Sequence, residues 1–76
     1  MDSDQTVDTT GMLCPLPVLK ARKRLQSMGL GDVLKVLADD PVAVIDIPHY
    51  CEEAGHDLLS SDLDGSPQVY LIRKGR

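Results

Sequence analysis

Apolar residues recur at helical spacing in the first half of the chain. Val18, Ala21, Leu25 and Met28 follow the three-four-three rhythm of one helix face. Pro15 and Pro17 mark the start of that helix, because the first helical amides lack intrahelical partners and tolerate proline. Gly29 is a fitting stop. A helix is therefore expected from at or next to Cys14 to about Met28. At about 100° per residue, Cys14 falls on the line of the stripe one turn earlier. Leu16, Lys20, Lys23 and Ser27 fall on the opposite side.

The pattern changes elsewhere. Gln5 to Asp8 reads as a short strand, and Thr9-Thr10-Gly11 as a loop. Val33 to Ala38 is an apolar run interrupted by Lys35, expected as a buried strand. Asp40 as N-cap and Pro41 as first helical residue open a second helix that reaches about Ala54 and ends at Gly55. Its stripe is Val44, Ile47, Cys51 and Ala54, and Pro48 predicts a break or kink near Asp46 to Pro48. Leu58 to Leu63 reads as a strand weakened by Ser60, Ser61 and Asp62. Asp64-Gly65 signals a turn, and Gln68 to Arg73 is the last strand.

The order strand-helix-strand-helix-strand-strand gives a right-handed βαβ unit followed by a hairpin. Two helices with one stripe each cover one face of a four-stranded mixed sheet. The expected fold is an α+β two-layer sandwich, βαβαββ, forming a single domain over residues 1–76. Residues 1–4 and 75–76 are expected to be disordered, with Lys74 fraying beside them.

Composition narrows the functional classes. The two cysteines have no CxxC spacing, so reduced thiols fit better than a disulfide scaffold. The acidic N-terminus lacks the basic and then apolar pattern of a secretory signal. No apolar run approaches the roughly 20 residues that span a bilayer. These features predict a soluble cytoplasmic protein without membrane contact, and nothing requires more than a monomer. A net charge of −4 argues against direct nucleic-acid binding. Lys20, Arg22, Lys23 and Arg24 nevertheless form a basic cluster, suited to an acidic docking site on another protein.

The candidate chemistry is at Cys14. A thiolate is the nucleophile, and the free amides and dipole of a helix N-terminus lower a thiol pKa. Pro15 and Pro17 would hold the turn rigid, and Gly11 would supply a positive φ that aims the loop. The competing reading is a buried cysteine acting as a small hydrophobe on the stripe. Cys51, in line with Val44, Ile47 and Ala54, reads as a core cysteine rather than a resolving thiol. His49 and Cys51 point to different sides of a helix, so with His56 they predict no metal site. No cofactor is called for.

Several segments carry a family resemblance. Cys14-Pro15-Leu16-Pro17 is similar to the CPxP motif of the TusA/SirA-type sulfur carriers. Asp8 to Pro15 resembles that family's D-x-x-G-L-x-C-P segment, and Ala38-Asp39-Asp40-Pro41 its A-D-D-P segment. Ile47 to Cys51, Gly55 to Leu58 and Tyr70 to Gly75 also match, the last closest to the TusA branch. The chain departs from the pattern at Met12, at Leu13, where a basic residue is common, and at Leu16, where some tRNA-thiolation members have Glu.

The resemblance implies a βαβαββ sandwich and a persulfide carried on Cys14. It implies sulfur taken from a cysteine desulfurase or rhodanese-type donor and passed to a DsrE-type or other thiol acceptor. The pathways it suggests are tRNA 2-thiouridine synthesis, molybdenum-cofactor maturation and cytoplasmic sulfur oxidation. It points to a sulfurtransferase-type carrier rather than a free-standing enzyme. Leu16, Lys20, Lys23 and Arg24 are the expected docking residues. Two other readings compete: a thiol redox switch, and a regulatory protein-interaction module.

Overall fold

Six elements follow one another in the computed structural model, which describes residues 3–76. They are β1 (Gln5–Asp8), α1 (Leu16–Gln26), β2 (Val33–Ala38), α2 (Ala43–Ala54), β3 (Asp57–Asp62) and β4 (Gln68–Arg73). The strands form one sheet in the order β1-β2-β4-β3. β1 runs parallel to β2, whereas β4 is antiparallel to both β2 and β3. This is the expected βαβαββ mixed sheet with two helices.

Alternation along β2 decides which side is covered. Leu34, Val36 and Ala38 are buried, while Val33, Lys35 and Leu37 are only half-buried. The register sets Val7 beside Val36 and pairs Leu34 with Ile72 and Val36 with Tyr70, so the buried residues share one face. Ala21, Leu25 and Met28 from the α1 segment meet that face, together with Ala43, Ile47 and Cys51 of α2. Each large aliphatic side chain removed from water contributes about 1.5–3 kcal/mol.

Several boundaries differ from the sequence expectation. α1 begins at Leu16, two residues after Cys14, and its buried stripe starts at Pro17 rather than Val18, which is half-buried. Cys14 therefore lies outside the helix and is exposed, which excludes the core reading. The helix ends at Gln26, and the N–H groups of Ser27 and Met28 close a tighter turn onto Arg24 and Leu25. α2 starts at Ala43, because Pro41 and Val42 form a turn around Asp40.

The break expected at Pro48 is absent: α2 is continuous from Ala43 to Ala54. Proline has a helical φ and removes only the bond to the Val44 carbonyl. Ile47 and Cys51, buried on either side of it, tie both halves of the helix to the same core. Gly55 then takes φ 79 as a left-handed cap, with the His56 N–H bonded to the Cys51 carbonyl.

β3 starts one residue early, at Asp57, and a bulge between Leu58 and Ser60 leaves Leu59 without a partner on β4.

At the chain ends, where disorder was expected, several residues hydrogen-bond to their neighbours. Asp4 exchanges bonds with Val33 through its N–H and carboxylate, both 2.8 Å. Lys74 donates to the Asp32 and Met28 carbonyls, and the Gly75 N–H donates to His56 Nδ1 at 3.1 Å. Met1 and Asp2, also placed in that expected disorder, lie outside the described residues.

Candidate functional site

Parallel pairing of β1 and β2 brings the loops that follow them to the same end of the sheet. The loop after β1 carries Gly11 and Cys14, and the loop after β2 carries Asp39 and Asp40. Thr9 anchors the first loop: buried, it donates from N–H and Oγ1 to the Leu37 carbonyl at 2.8 and 2.6 Å. The Asp8 carboxylate accepts from the N–H and hydroxyl of Thr10 at 2.9 and 2.7 Å. The Thr10 hydroxyl and then its N–H hold the Asp8 carboxyl below its usual pKa.

The two aspartates then clamp the cysteine segment. Asp39 accepts from the Gly11 N–H at 2.9 Å. Gly11 takes φ 81, the conformation anticipated for it and one that glycine adopts without a steric cost. Asp40 is buried, with one carboxylate oxygen accepting from the Cys14 N–H at 2.6 Å and the other from the Val42 N–H at 3.1 Å. The backbone carbonyl of Asp40 accepts from Gln68. Asp40 is therefore not the N-cap expected of it, a place that Val42 takes; it sits in the turn before α2 and ties the cysteine backbone to that turn.

Cys14 Sγ is exposed and donates to Asp46 Oδ2 at 2.7 Å. This overturns the expected electrostatics. The Asp46 hydrogen bond raises the Cys14 pKa first, followed by partial desolvation and the negative charges of Asp46 and Asp40. α1 begins only at Leu16, so Cys14 precedes the helix instead of lying in its first turn. The isolated protein therefore presents a protonated, accessible thiol. Cys51 is buried in the core, as anticipated, and burial pushes its pKa up to about 11.

Of the docking residues expected from sequence, Leu16, Lys20 and Lys23 are exposed. Arg24 is half-buried and donates to Gln5 Oε1 and the Thr6 carbonyl at 3.2 and 3.4 Å. Lys20, Lys23 and Arg24 line a groove with Val7 and Ser27, against β1. Beyond Leu16, sequence reasoning missed exposed apolar residues on the segments bonded to Cys14. Leu13 and Ile45 are 70% and 71% exposed, and Val42 and Leu16 are 43% and 47% exposed. Cys14's bonds to Asp40 and Asp46 bring the segments bearing these residues together.

A cleft of about 230 Å³ adjoins the cysteine, lined by Pro15, Val18, Asp46, His49, Tyr50 and Glu53. A second groove, about 530 Å³, lies further along the helices, where Arg22, His56, Lys74 and Arg76 line it. His49 approaches Glu53 at 3.4 Å, and His56 lies against Tyr50 with ring centroids 5.8 Å apart. No group of three His, Cys, Asp or Glu side chains that could hold a metal occurs among the described residues.

The family model described as sulfurtransferase TusA matches residues 5–74. The chain belongs to the TusA family. Its fold agrees with a solved structure, that of the SirA-like protein from Desulfitobacterium hafniense. The two are 28% identical with a TM-score of 0.80, and the match covers 95% of this chain and 99% of the other. TusA-family proteins are sulfurtransferases that work with partner proteins in sulfur relays. In this TusA-family chain, no helix among the described residues is long and apolar enough to cross a membrane.

Proposed function

We propose that this TusA-family protein carries sulfane sulfur as a persulfide on Cys14. The observation that bears most weight is an exposed thiol on a loop fixed by Asp39 and Asp40. The Cys14 thiolate attacks the outer sulfur of a donor persulfide. The donor's S–S bond breaks, its electron pair leaves on the donor cysteine, and Cys14–S–S⁻ forms. An acceptor thiolate then attacks that outer sulfur, and Cys14 departs as thiolate. The sulfane sulfur moves without net oxidation, as in thiol–disulfide exchange.

The donors that fit are cysteine desulfurases and rhodanese-type proteins. The acceptors are DsrE-type or other protein thiols, in tRNA thiolation, molybdenum-cofactor maturation or sulfur oxidation in the cytoplasm. The protein acts as a single-domain shuttle rather than a free-standing enzyme. Leu16, with Leu13, Val42 and Ile45, supplies the apolar seat for these partners. Lys20, Lys23 and Arg24 steer acidic surfaces towards it.

The test is intact mass after incubation with a cysteine desulfurase and cysteine. Wild type should gain one reductant-labile sulfur, and Cys14→Ser should gain none while keeping its fold. Loading retained in Cys14→Ser would sink the proposal.

A further inference from the structure

Three features stand out beyond the carrier chemistry: the basic groove near the chain end, the apolar collar, and the carboxylate on the reacting sulfur. The third carries an inference through. Asp46 is half-buried on α2, and its Oδ2 accepts the Cys14 S–H at 2.7 Å. A second carboxylate, Asp40, is bonded to the Cys14 backbone. The two charges that bear on the Cys14 thiol, Asp46 and Asp40, are both negative, and both come from the α2 side. His49, the nearest basic group lining the adjoining cleft, faces Glu53. Of the α1 cations, Lys20, Lys23 and Arg24 line a groove against β1 and Arg22 lines the groove further along the helices.

This arrangement is ill suited to a nucleophile acting alone. Forming the thiolate breaks the hydrogen bond to Asp46 and sets two anions against each other. The thiol is thereby shielded from adventitious attack, yet the sulfur must ionise when a partner arrives. A cation seated on Asp46 would take over its lone pairs and neutralise the local charge. Burial of the exposed apolar residues on the segments bonded to Cys14, a collar of Leu13, Leu16, Val42 and Ile45, by a docked partner would exclude water and strengthen that pair.

The geometry points to Asp46 as an electrostatic gate: it holds Cys14 as the thiol until a partner protein presents a lysine or arginine beside its own reacting sulfur. Asp46 is in this sense both a positioning residue and the determinant that selects partners. The collar sets where the cation lands, and the carboxylate sets which charge is accepted. The inference rests on Cys14 being the reacting group proposed above.

The test uses small disulfide probes, so it does not depend on sulfur loading. The Cys14 thiolate attacks one sulfur of the probe, the probe's S–S bond breaks, one half stays on Cys14 and the other leaves as thiolate. Intact mass follows the rate. The probes are cystamine, which is cationic, the neutral disulfide of mercaptoethanol, and the anionic disulfide of mercaptopropionate. Proteins are wild type, Asp46→Asn, and Glu52→Gln as a charge control elsewhere on α2.

The neutral probe should react faster with Asp46→Asn, because the gain in thiolate fraction outweighs the accompanying loss of intrinsic nucleophilicity. The cystamine-to-anion rate ratio should be roughly three- to tenfold higher in wild type than in Asp46→Asn. Glu52→Gln should match wild type. Should Asp46→Asn fail to fold, wild type alone decides, since its cation preference must shrink as salt is raised. Equal ratios in wild type and Asp46→Asn, or a wild-type preference insensitive to salt, would overturn the gate. Neither result would touch sulfur loading, which the mass measurement with the desulfurase tests separately.

Discussion

Asp40→Asn should destabilise the whole domain, although it changes only one charge and one atom type. The native side chain is 5% exposed, and both of its oxygens accept N–H donors, from Cys14 at 2.6 Å and Val42 at 3.1 Å. Asparagine keeps the shape but offers a single acceptor oxygen. Whichever N–H then faces the amide nitrogen loses its partner. A hydrogen bond to a charged group is worth about 1.5–3 kcal/mol. A domain of 76 residues has a total stability of about 4–11 kcal/mol. Losing about 2 kcal/mol should lower Tm by roughly 8–16 °C, at about 4–8 °C per kcal/mol. Urea titration followed by circular dichroism measures it, with the midpoint falling at unchanged slope. A stability change below about 0.5 kcal/mol, the size of an ordinary surface substitution, would refute the clamp.

The remaining expectations concern the core cysteine and the chain end. Native protein treated with iodoacetamide at mildly alkaline pH should take one adduct, on exposed Cys14, with Cys51 alkylated only after unfolding; tryptic mapping distinguishes the two. Because burial raises the Cys51 pKa from 9.0 to about 11, the folded state favours the neutral thiol. That stabilisation is complete below about pH 9 and is lost as pH rises through 11, so Cys51→Ala should flatten the fall of the urea midpoint across that window. His56 behaves oppositely. Burial, then Lys74 and Arg76, push its pKa below 6.5, and its Nδ1 accepts the Gly75 N–H. Its contribution is present above pH 6.5 and is lost on acidification through the lowered folded-state value. Thermal melts between neutral and mildly acidic pH should fall less steeply for His56→Gln, which accepts the same bond without titrating.

The backbone layout was legible because each element carries its own local signal. Val33–Ala38 and Gln68–Arg73 are apolar runs between turn residues, and their bounds agree with the structure. Gly11 was legible as a positive-φ position because a loop between a strand and a proline-marked helix start needs one. Three features were not. Helical spacing placed Cys14 on the buried stripe, but periodicity cannot say whether the helix has begun, and here it begins two residues later. Pro48 reads as a breaker on propensity alone, yet burial of Ile47 and Cys51 overrides it.

The third omission bears on the chemistry. Asp46 stands 32 positions from Cys14, and only the parallel pairing of β1 and β2 brings their segments together. Without that contact, a lowered thiol pKa is the natural expectation; with it, the direction reverses. A usable hint was present in Asp39-Asp40. Two adjacent acids at the end of a strand parallel to the first are well placed to bind the free amides of the neighbouring loop.

The central claim is that Cys14 carries transferable sulfane sulfur. Cyanide tests it most directly, because it attacks the outer sulfur of a persulfide, releasing thiocyanate and restoring the thiol. Protein loaded by a cysteine desulfurase, freed of donor and treated with cyanide should yield one equivalent of thiocyanate per chain and recover the unmodified mass, with none from Cys14→Ser. Thiocyanate from Cys14→Ser equal to that from wild type, or a loaded mass on wild type that cyanide leaves unchanged, would contradict the account.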